Sequence, residues 1–257
     1  RSGHPWVYAA EITAREGECP SGGIVDVFSP KGAWLGAGFY SAESKIGVRI
    51  LSDNANERFG PAFFERRVKY ALDYRRAVMG ADFGCCRLIF GEADGLAGLT
   101  VDRFSNLLSA QVLSRGTDGV KDIIYAALLE QLAAMGERID GIYERNESGI
   151  RALEGLEQYK GWYAGAPHPE SALTEICENG VRYAVDLENG QKTGFFLDQK
   201  YNRLAVSRLA AGRRVLDCFT HTGSFALNCA RAGAEHVTAV DVSESAVALA
   251  RQNAALN

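Results

Sequence analysis

The chain has 257 residues, of which 47% are hydrophobic and 23% are charged, and its formal net charge is −4. This length suffices for about two domains with buried cores, and the composition excludes a disordered or collagen-like protein. The apolar runs are too short to cross a bilayer, and the first residues, RSGHPWVYAAEI, lack the apolar segment of a secretory signal. No membrane association is expected.

The cysteines and histidines show neither Cys-x-x-Cys pairs nor the spacing of metal ligands, so we expect no zinc site and no disulfide framework. A reducing cytoplasm fits this usage best. Cys218 is expected on a buried strand and Cys229 on the apolar side of a helix, which makes both of them packing residues rather than nucleophiles.

The first 60 residues predict a small β module, plausibly a compact barrel. Strand-like runs cover residues 24–28, 34–40 and 46–50, and a Ser-Pro-Lys-Gly turn separates the first two. The apolar period then changes to three and four, which predicts a helix through residues 63–74 and a domain boundary near residue 70.

Charge is distributed unevenly along the chain. Residues 1–80 carry 11 basic and 9 acidic side chains, whereas residues 81–257 carry 17 basic and 23 acidic ones. The segment FERRVKYALDYRR at 64–76 holds five basic residues and two acidic ones. Two interpretations stay open for it: a solvated helix face, which charge patterning favours, or a patch that faces RNA.

Residues 85–150 predict a middle α+β domain. The strand-like runs CRLIF, GLTVDRF and LLSAQVL precede a helix that is expected to be capped by Asp118 and to end at Gly136. Farther on, Asn179-Gly180 and Asn189-Gly190 each lie between strand-like residues, which is a short-range signal for a β-hairpin.

The last 60 residues predict two strand–helix units. RVLDCF reads as a buried strand, followed by a helix with Thr222 or Ser224 as its cap; HVTAVDVS reads as a second strand, followed by a helix capped by Ser243. Such units form parallel sheets that bind ligands at the carboxyl ends of their strands. Asp241, 18 residues beyond Gly223, is therefore expected to grip the hydroxyls of a ribose, although it could merely cap the next turn.

The turn between the first strand and its helix, CFTHTGSF, is too bulky for the close approach of a pyrophosphate, which favours three glycines. A nucleoside without phosphates fits better. S-adenosylmethionine is such a ligand, and its cationic sulfonium would be compatible with Asp217 in this turn. His221 is exposed in the predicted loop and has no evident partner, so no catalytic role is assigned to it.

The chain resembles the ribosomal RNA large-subunit methyltransferase I family of cytosine-C5 methyltransferases, which have an N-terminal PUA domain. The motifs are GHPWVY, GEADGLAGLTVDRF, GQKTGFFLDQKYNR and the segment from VLDCFTHTGSF to Asn257. The resemblance implies an α/β fold with a PUA-like RNA-binding barrel at 1–70, a middle α+β domain at 71–184, and the start of a Rossmann-like class I methyltransferase domain at 185–257.

The resemblance also implies S-adenosylmethionine as the cofactor and ribosomal RNA as the partner; a homodimer is left open. The cofactor loop would contain Asp217, Phe219 and Gly223, with Asp241 on the ribose. The motif that closes over the cofactor would contain the four residues Phe196, Asp198, Gln199 and Arg203.

Catalytic residues are not assigned. The family's attacking cysteine would lie beyond Asn257, so the sequence is expected to be truncated and inactive by itself. A nicotinamide or flavin oxidoreductase would require a glycine-rich turn that is missing here. A non-catalytic RNA-binding protein with a truncated nucleoside-binding fold is the remaining alternative.

Overall fold

The computed structural model of the protein describes residues 4–257, so Gly3 of the GHPWVY motif lies outside the described residues. The N-terminal part is a four-stranded antiparallel sheet in the order β1-β4-β3-β2. Its strands are β1 (Trp6–Tyr8), β2 (Ile24–Phe28), β3 (Trp34–Tyr40) and β4 (Ile46–Ser52). The three predicted strands are confirmed, and β1 is an additional short strand.

Helix α1 (Pro61–Met79) follows this sheet and packs against the middle part of the chain. It begins at a proline, which lacks the amide hydrogen that a first helical turn leaves unpaired. The helix is continuous through residue 70, and the second expected boundary, after residue 184, falls within a strand. The division of the chain into 1–70, 71–184 and 185–257 stays a prediction.

The middle sheet has five strands in sequential order: β5 (Cys85–Phe90), β6 (Leu99–Phe104), β7 (Leu107–Val112), β8 (Gly141–Asn146) and β9 (Tyr159–Trp162). Only β7 and β8 are parallel, because helix α3 (Lys121–Ala134) crosses between them. The expected cap Asp118 is wrong: this residue ends the short helix α2 (Arg115–Asp118), and α3 starts after Val120. Helix α4 (Ile150–Leu153) follows β8.

A hairpin of β10 (Leu173–Glu178) and β11 (Val181–Asp186) covers one face of the middle sheet, while α1 and α3 cover the other. Its turn is Asn179-Gly180, with φ of 53° and 78°, which confirms the first hairpin signal. The second signal, Asn189-Gly190, is wrong. The Asp186 carboxylate instead accepts the amides of the two residues before Gly190 and holds an irregular turn.

The C-terminal unit contains α5 (Lys200–Ser207), β12 (Arg214–Cys218), α6 (Ser224–Arg231), β13 (His236–Val240) and α7 (Glu244–Leu256). Strands β12 and β13 are parallel, as predicted, and pair Cys218 with Val240. The expectation that β12 is buried is wrong: Leu216 is 64% exposed and Cys218 is exposed. Within residues 4–257, β12 has only one partner strand, and α6 contacts the pair.

This unit is anchored to the hairpin by two buried amides. The Asn253 side chain of α7 accepts a hydrogen bond from the Ala184 amide at Oδ1 (2.8 Å) and donates one from Nδ2 to the Thr222 carbonyl (2.9 Å). Asn228 of α6 donates to the Tyr183 hydroxyl at 2.7 Å. Side-chain hydrogen bonds of this kind fix orientation as well as contact, so β11 sets the position of both helices.

The N-terminal sheet docks on the middle part through polar and apolar contacts. Arg49 and Glu154 form a buried ion pair at 2.7 Å. Phe39 packs so closely on Gly116 that a Cβ there would lie 2.1 Å from the ring. The two parts therefore meet in a tightly packed interface.

Each basic residue of the 64–76 segment has a protein partner. Arg66 pairs with Glu57, Lys69 with Asp73, and Arg75 with Asp94; Arg67 and Arg76 donate to backbone carbonyls. Three of the five basic side chains of this helix face thus form ion pairs, and the other two are bound only to backbone carbonyls. In the part of the chain that the structure describes, no helix combines the length and the apolar character needed to cross a membrane.

Candidate cofactor-binding site

Four of the predicted cofactor residues, Asp217, Phe219, Gly223 and Asp241, lie at or just after the ends of β12 and β13. Strand pairing places these two ends side by side, and the Thr220 amide continues the pairing with a hydrogen bond of 3.0 Å to the Val240 carbonyl. The loop 219–223 leads from β12 into α6, and Asp241 directly follows β13. The two sequence signals, an acidic turn and an acid at a strand end, therefore lie at one edge of the sheet.

Asp217 anchors the first turn of α6. Its Oδ2 accepts hydrogen bonds from the Thr220 hydroxyl at 2.5 Å and from the Ala226 amide at 3.0 Å. The helix cap is Gly223, without a side-chain hydrogen bond, so the expectation of Thr222 or Ser224 as cap is wrong. A carboxylate from the strand satisfies the helix amide instead. Among the described residues, Asp217 Oδ1 accepts no hydrogen bond.

Asp241 binds both flanking loops. Its Oδ2 accepts the His221 amide at 2.8 Å, and its Oδ1 accepts the Ser243 amide at 3.0 Å. These backbone hydrogen bonds, from Ser243 and then His221, lower the pKa of Asp241, so it is ionised at neutral pH. A carboxylate has about four acceptor positions, which leaves capacity for the hydroxyls of a ligand.

The backbone of the loop is held in an uncommon conformation. Phe219, His221 and Gly223 all have positive φ, at 61°, 51° and 79°. Only glycine adopts this region freely, so the first two positions are strained. At Gly223 a Cβ would also lie 3.1 Å from Ala250, which explains why glycine occurs here. The Phe219 side chain is 83% exposed at the mouth of the loop.

The motif at 190–203 approaches this loop through Phe196. The Phe196 ring meets the His221 ring edge-on at a centroid distance of 5.5 Å, and Lys192 Nζ lies 4.5 Å from the Phe196 ring centroid. The structure therefore brings Phe196 to the cofactor loop, although the two are 25 positions apart. Burial lowers the pKa of His221 more than Asp241 raises it, so this imidazole is neutral at pH 7.

Asp198 and Gln199 lie on a short helical turn, Leu197–Gln199, at the start of α5. Partial burial would raise the pKa of Asp198, but the hydrogen bond from Gln199 and the charge of Lys192 outweigh it and lower the pKa. Both side chains remain accessible enough to meet a ligand. Whether they touch a cofactor stays a prediction.

Arg203 is buried and turned toward the hairpin. Its Nε and Nη2 donate to the two carboxylate oxygens of Glu178 at 2.7 and 2.8 Å, and Nη2 also donates to the Phe196 carbonyl at 3.0 Å. Burial raises the pKa of Glu178, an effect that Arg203 opposes. Arg203 thus positions Phe196 from behind, through the backbone.

Two side chains of the middle sheet, missed by the sequence analysis, also hold this motif. Asp102 accepts the Thr193 hydroxyl at 2.6 Å, and Arg145 donates to the carbonyls of Leu187 and Gly190 at 2.8 and 2.9 Å. Asp102 could have been identified from its position in the apolar strand GLTVDRF, because burying a charge there without a partner would be costly. Within residues 4–257 no three potential metal ligands are grouped.

Two family models match the chain. A PUA-like domain matches residues 1–53, and an S-adenosylmethionine-dependent methyltransferase matches residues 157–257. The second range contains every predicted cofactor residue. The chain therefore combines a PUA-like N-terminal domain with an α/β methyltransferase fold. The candidate site lies in the part that matches the methyltransferase model, and the cofactor of that family is S-adenosylmethionine.

Curated relatives match almost the whole chain. Proteins named ribosomal RNA large subunit methyltransferase I from Klebsiella pneumoniae, Serratia proteamaculans and Escherichia coli are 40%, 39% and 38% identical over 255 residues, or 99% of this chain. The chain spans 62–63% of the length of these relatives.

Solved structures show the same fold. A Streptococcus mutans protein proposed to be a SAM-dependent methyltransferase superposes with a TM-score of 0.78 at 23% identity, covering 98% of this chain and 63% of that one. Another proposed methyltransferase, solved in complex with SAH, gives 0.80 at 22% identity, covering 99% and 63%. The sequence comparisons thus relate nearly the whole chain to proteins named ribosomal RNA large subunit methyltransferase I, and the solved structures show the fold that it shares.

Proposed function

We propose that this chain binds S-adenosylmethionine at the edge where β12 and β13 end, with the Asp241 carboxylate accepting the ribose hydroxyls. The observation that carries this proposal is the position of Asp241: an ionised carboxylate at a parallel strand end, fixed by two backbone amides. A ligand binding there needs no rearrangement of this side chain. Binding at the carboxyl ends of strands is the rule in open α/β sheets.

The other predicted residues have separate roles in this proposal. Asp217 supplies negative charge at the start of the loop, which favours a sulfonium and disfavours a pyrophosphate. Gly223 permits the loop geometry, and Phe219 and Phe196 supply apolar surface beside it. Asp198 and Gln199 border the site at the start of α5. Arg203 Nε and Nη2 donate to Glu178, so Arg203 would affect the cofactor only indirectly, through the backbone of Phe196.

The proposed substrate is ribosomal RNA of the large subunit, and the proposed target atom is C5 of a cytosine. The names of the curated relatives support the first statement, and the family resemblance of the sequence supports the second. The PUA-like domain is proposed to contact RNA. When bound, S-adenosylmethionine would supply the methyl group, and the residues of this chain would hold the cofactor at the strand ends.

The nucleophile for the base is not assigned to any cysteine of this chain. Cys85, Cys86 and Cys229 are buried, and burial raises the pKa of each thiol, to about 12 for Cys86. A thiolate at these positions is therefore disfavoured at neutral pH. Cys19, Cys177 and Cys218 are not buried, so the proposal that this stretch of chain binds the cofactor but is inactive in transfer by itself is supported by the family resemblance of the sequence alone.

The cofactor proposal is tested by calorimetry with S-adenosylmethionine and, separately, with NADH. We expect binding of the first only, and we expect Asp241→Ala to weaken it by about 10- to 100-fold, because hydrogen bonds to a charged group contribute about 1.5–3 kcal/mol. Glu244→Ala, which removes an exposed carboxylate from the first turn of α7, is the matched control and should bind normally. Equal affinity of Asp241→Ala and the control would refute the assignment of the ribose site.

The substrate proposal is tested by transfer of a labelled methyl group to large-subunit ribosomal RNA, followed by nucleoside analysis. The proposal expects no transfer by the 257-residue chain and 5-methylcytidine as the product of a homologous chain of full family length. A different methylated nucleoside would refute cytosine C5 and leave the cofactor site intact. Transfer by the present chain would refute the proposal that it is inactive by itself.

A further inference from the structure

A cavity of about 740 Å³ lies between α1 and the turn Leu197–Gln199. Residues that line it include Tyr74, Val78 and Phe90 on one side and Asp198 and Lys200 on the other. Since Asp198 belongs to the motif that borders the cofactor loop, a ligand in this cavity would extend toward the same site.

Two aromatic rings in this cavity are unusually exposed. Tyr74 and Phe90 are 60% and 55% exposed. Each ring carries an arginine on one face: the Arg75 guanidinium carbon lies 4.9 Å from the Tyr74 centroid, and that of Arg87 lies 5.3 Å from the Phe90 centroid. One face of each ring is thus occupied by a cation.

Hydrogen bonds to carboxylates hold both arginines in place. Arg75 donates to the two oxygens of Asp94 at 3.2 and 2.7 Å, and its Nε donates to the Arg87 carbonyl at 3.0 Å. Arg87 in turn donates to both oxygens of the buried Asp102 at 2.8 and 3.0 Å. Bidentate pairs restrict a guanidinium to one plane, so the rings stacked on them are restricted as well. The result is two pre-oriented aromatic platforms.

The chemistry of the cavity fits unpaired bases. Aromatic platforms backed by arginine are the surfaces on which single-stranded nucleic acids stack, and stacking is tolerant of base identity. Each cation of the lining is paired with a carboxylate: Arg75 with Asp94, Arg87 with Asp102, and Lys200 with Asp82. Binding in this cavity would therefore come from stacking on the rings rather than from an excess of positive charge.

We infer that this cavity is a stacking subsite in which Tyr74 and Phe90 hold unpaired bases of the RNA substrate next to the methyl-transfer site. This inference rests on the proposed function. It assigns to the middle part of the chain a direct role in RNA binding, in addition to that of the PUA-like domain.

The test measures binding of a fluorescein-labelled, unstructured RNA dodecamer to the whole chain by fluorescence anisotropy at fixed salt. Tyr74→Ala and Phe90→Ala should each weaken binding by about 10-fold or more, the range for one lost base–aromatic stack. Tyr74→Phe should retain the affinity because it keeps the ring. Tyr70→Ala is the matched control: Tyr70 is 57% exposed on the same helix, one turn away, and does not line the cavity.

The outcomes separate this inference from the proposed function. Loss of RNA affinity in Tyr74→Ala, with unchanged affinity in Tyr70→Ala and unchanged calorimetric binding of S-adenosylmethionine, supports it. Unchanged RNA affinity in both Ala variants of the cavity, or equal losses in Tyr74→Ala and Tyr70→Ala, overturns the subsite while the cofactor site stands. Absence of RNA binding by the unmodified chain overturns the subsite too, and calorimetry then decides the cofactor site independently.

Discussion

Replacing Arg203 with methionine should destabilise the protein more strongly at pH 8 than at pH 5. Arg203 and Glu178 are 1% and 0% exposed and form a bidentate pair. Methionine is similar in length and apolar, so the substitution removes the charge and the donors while it fills much of the volume. What remains is a carboxylate in the interior that has lost its strongest partner.

The magnitude follows from this geometry. Removing one partner of a buried ion pair costs about 3–5 kcal/mol when the other stays charged, which is a large part of a typical free energy of unfolding of about 5–15 kcal/mol. The hydrogen bond to the Phe196 carbonyl is lost as well. If Glu178 takes up a proton, the penalty falls to that of an unsatisfied neutral group, about 1–3 kcal/mol. The difference between the two states is about 2 kcal/mol.

The pH dependence has a definite sign. Burial raises the pKa of Glu178 in the folded protein, and Arg203 opposes the rise. Without Arg203 the folded-state pKa rises further above its value in the unfolded chain, so stability is retained below the unfolded pKa and is lost as pH increases through the folded pKa. Stability of the variant should therefore decrease from pH 5 to pH 8 more steeply than that of the unmodified protein.

The assay is urea unfolding followed by circular dichroism at pH 5 and pH 8. A change of about 2 kcal/mol corresponds to a midpoint shift of about 1 M urea. The double variant Arg203→Met/Glu178→Leu is the control, because it removes the unpaired carboxylate and should recover most of the loss at pH 8. A loss below about 1 kcal/mol, or a loss that is the same at both pH values, would refute the reasoning.

Two further substitutions test the packing around the site, each by the free energy of unfolding. Gly116→Ala should lower the free energy of unfolding by about 1–3 kcal/mol through overpacking, because the new Cβ would lie 2.1 Å from Phe39. Gly119→Ala is the control and should not destabilise the protein, because its Cβ would have no neighbour closer than 3.5 Å. Equal effects of the two substitutions would contradict this reasoning. Asn253→Ala should cost about 1–3 kcal/mol, since it leaves a backbone amide and a carbonyl without partners. The exposed neighbour Gln252→Ala should be neutral, and a similar loss there would argue against this account.

Local patterns sufficed to predict most of the elements. The Asn179-Gly180 hairpin, the Ser243 cap and the two parallel strands of the C-terminal unit are confirmed because each depends on residues close in sequence. Asn189-Gly190 failed for the opposite reason: the dipeptide allows a tight turn, but the run after it forms no strand, and the Asp186 carboxylate holds Glu188 and Asn189 in an irregular turn.

The supports of the site were less predictable. The strand-end position of Asp241 follows from the order of the elements, yet its hydrogen bond to the His221 amide depends on how two loops meet. Glu178 stands just before a turn, where an exposed carboxylate is normal, and nothing local indicates that Arg203 buries it. Contacts over 25 or more positions, such as Asp102 with Thr193, require the tertiary structure.

The left-handed residues Phe219 and His221 have a consequence for ligand affinity. A mobile loop loses conformational entropy when it closes around a ligand, and that loss weakens binding. Here the Asp241 carboxylate holds the bend by accepting a hydrogen bond from the His221 amide, a contact made within the chain itself. A ligand that binds at this edge therefore meets a loop that is already bent. The strain in the loop is maintained by the stability of the surrounding domain and not by the ligand.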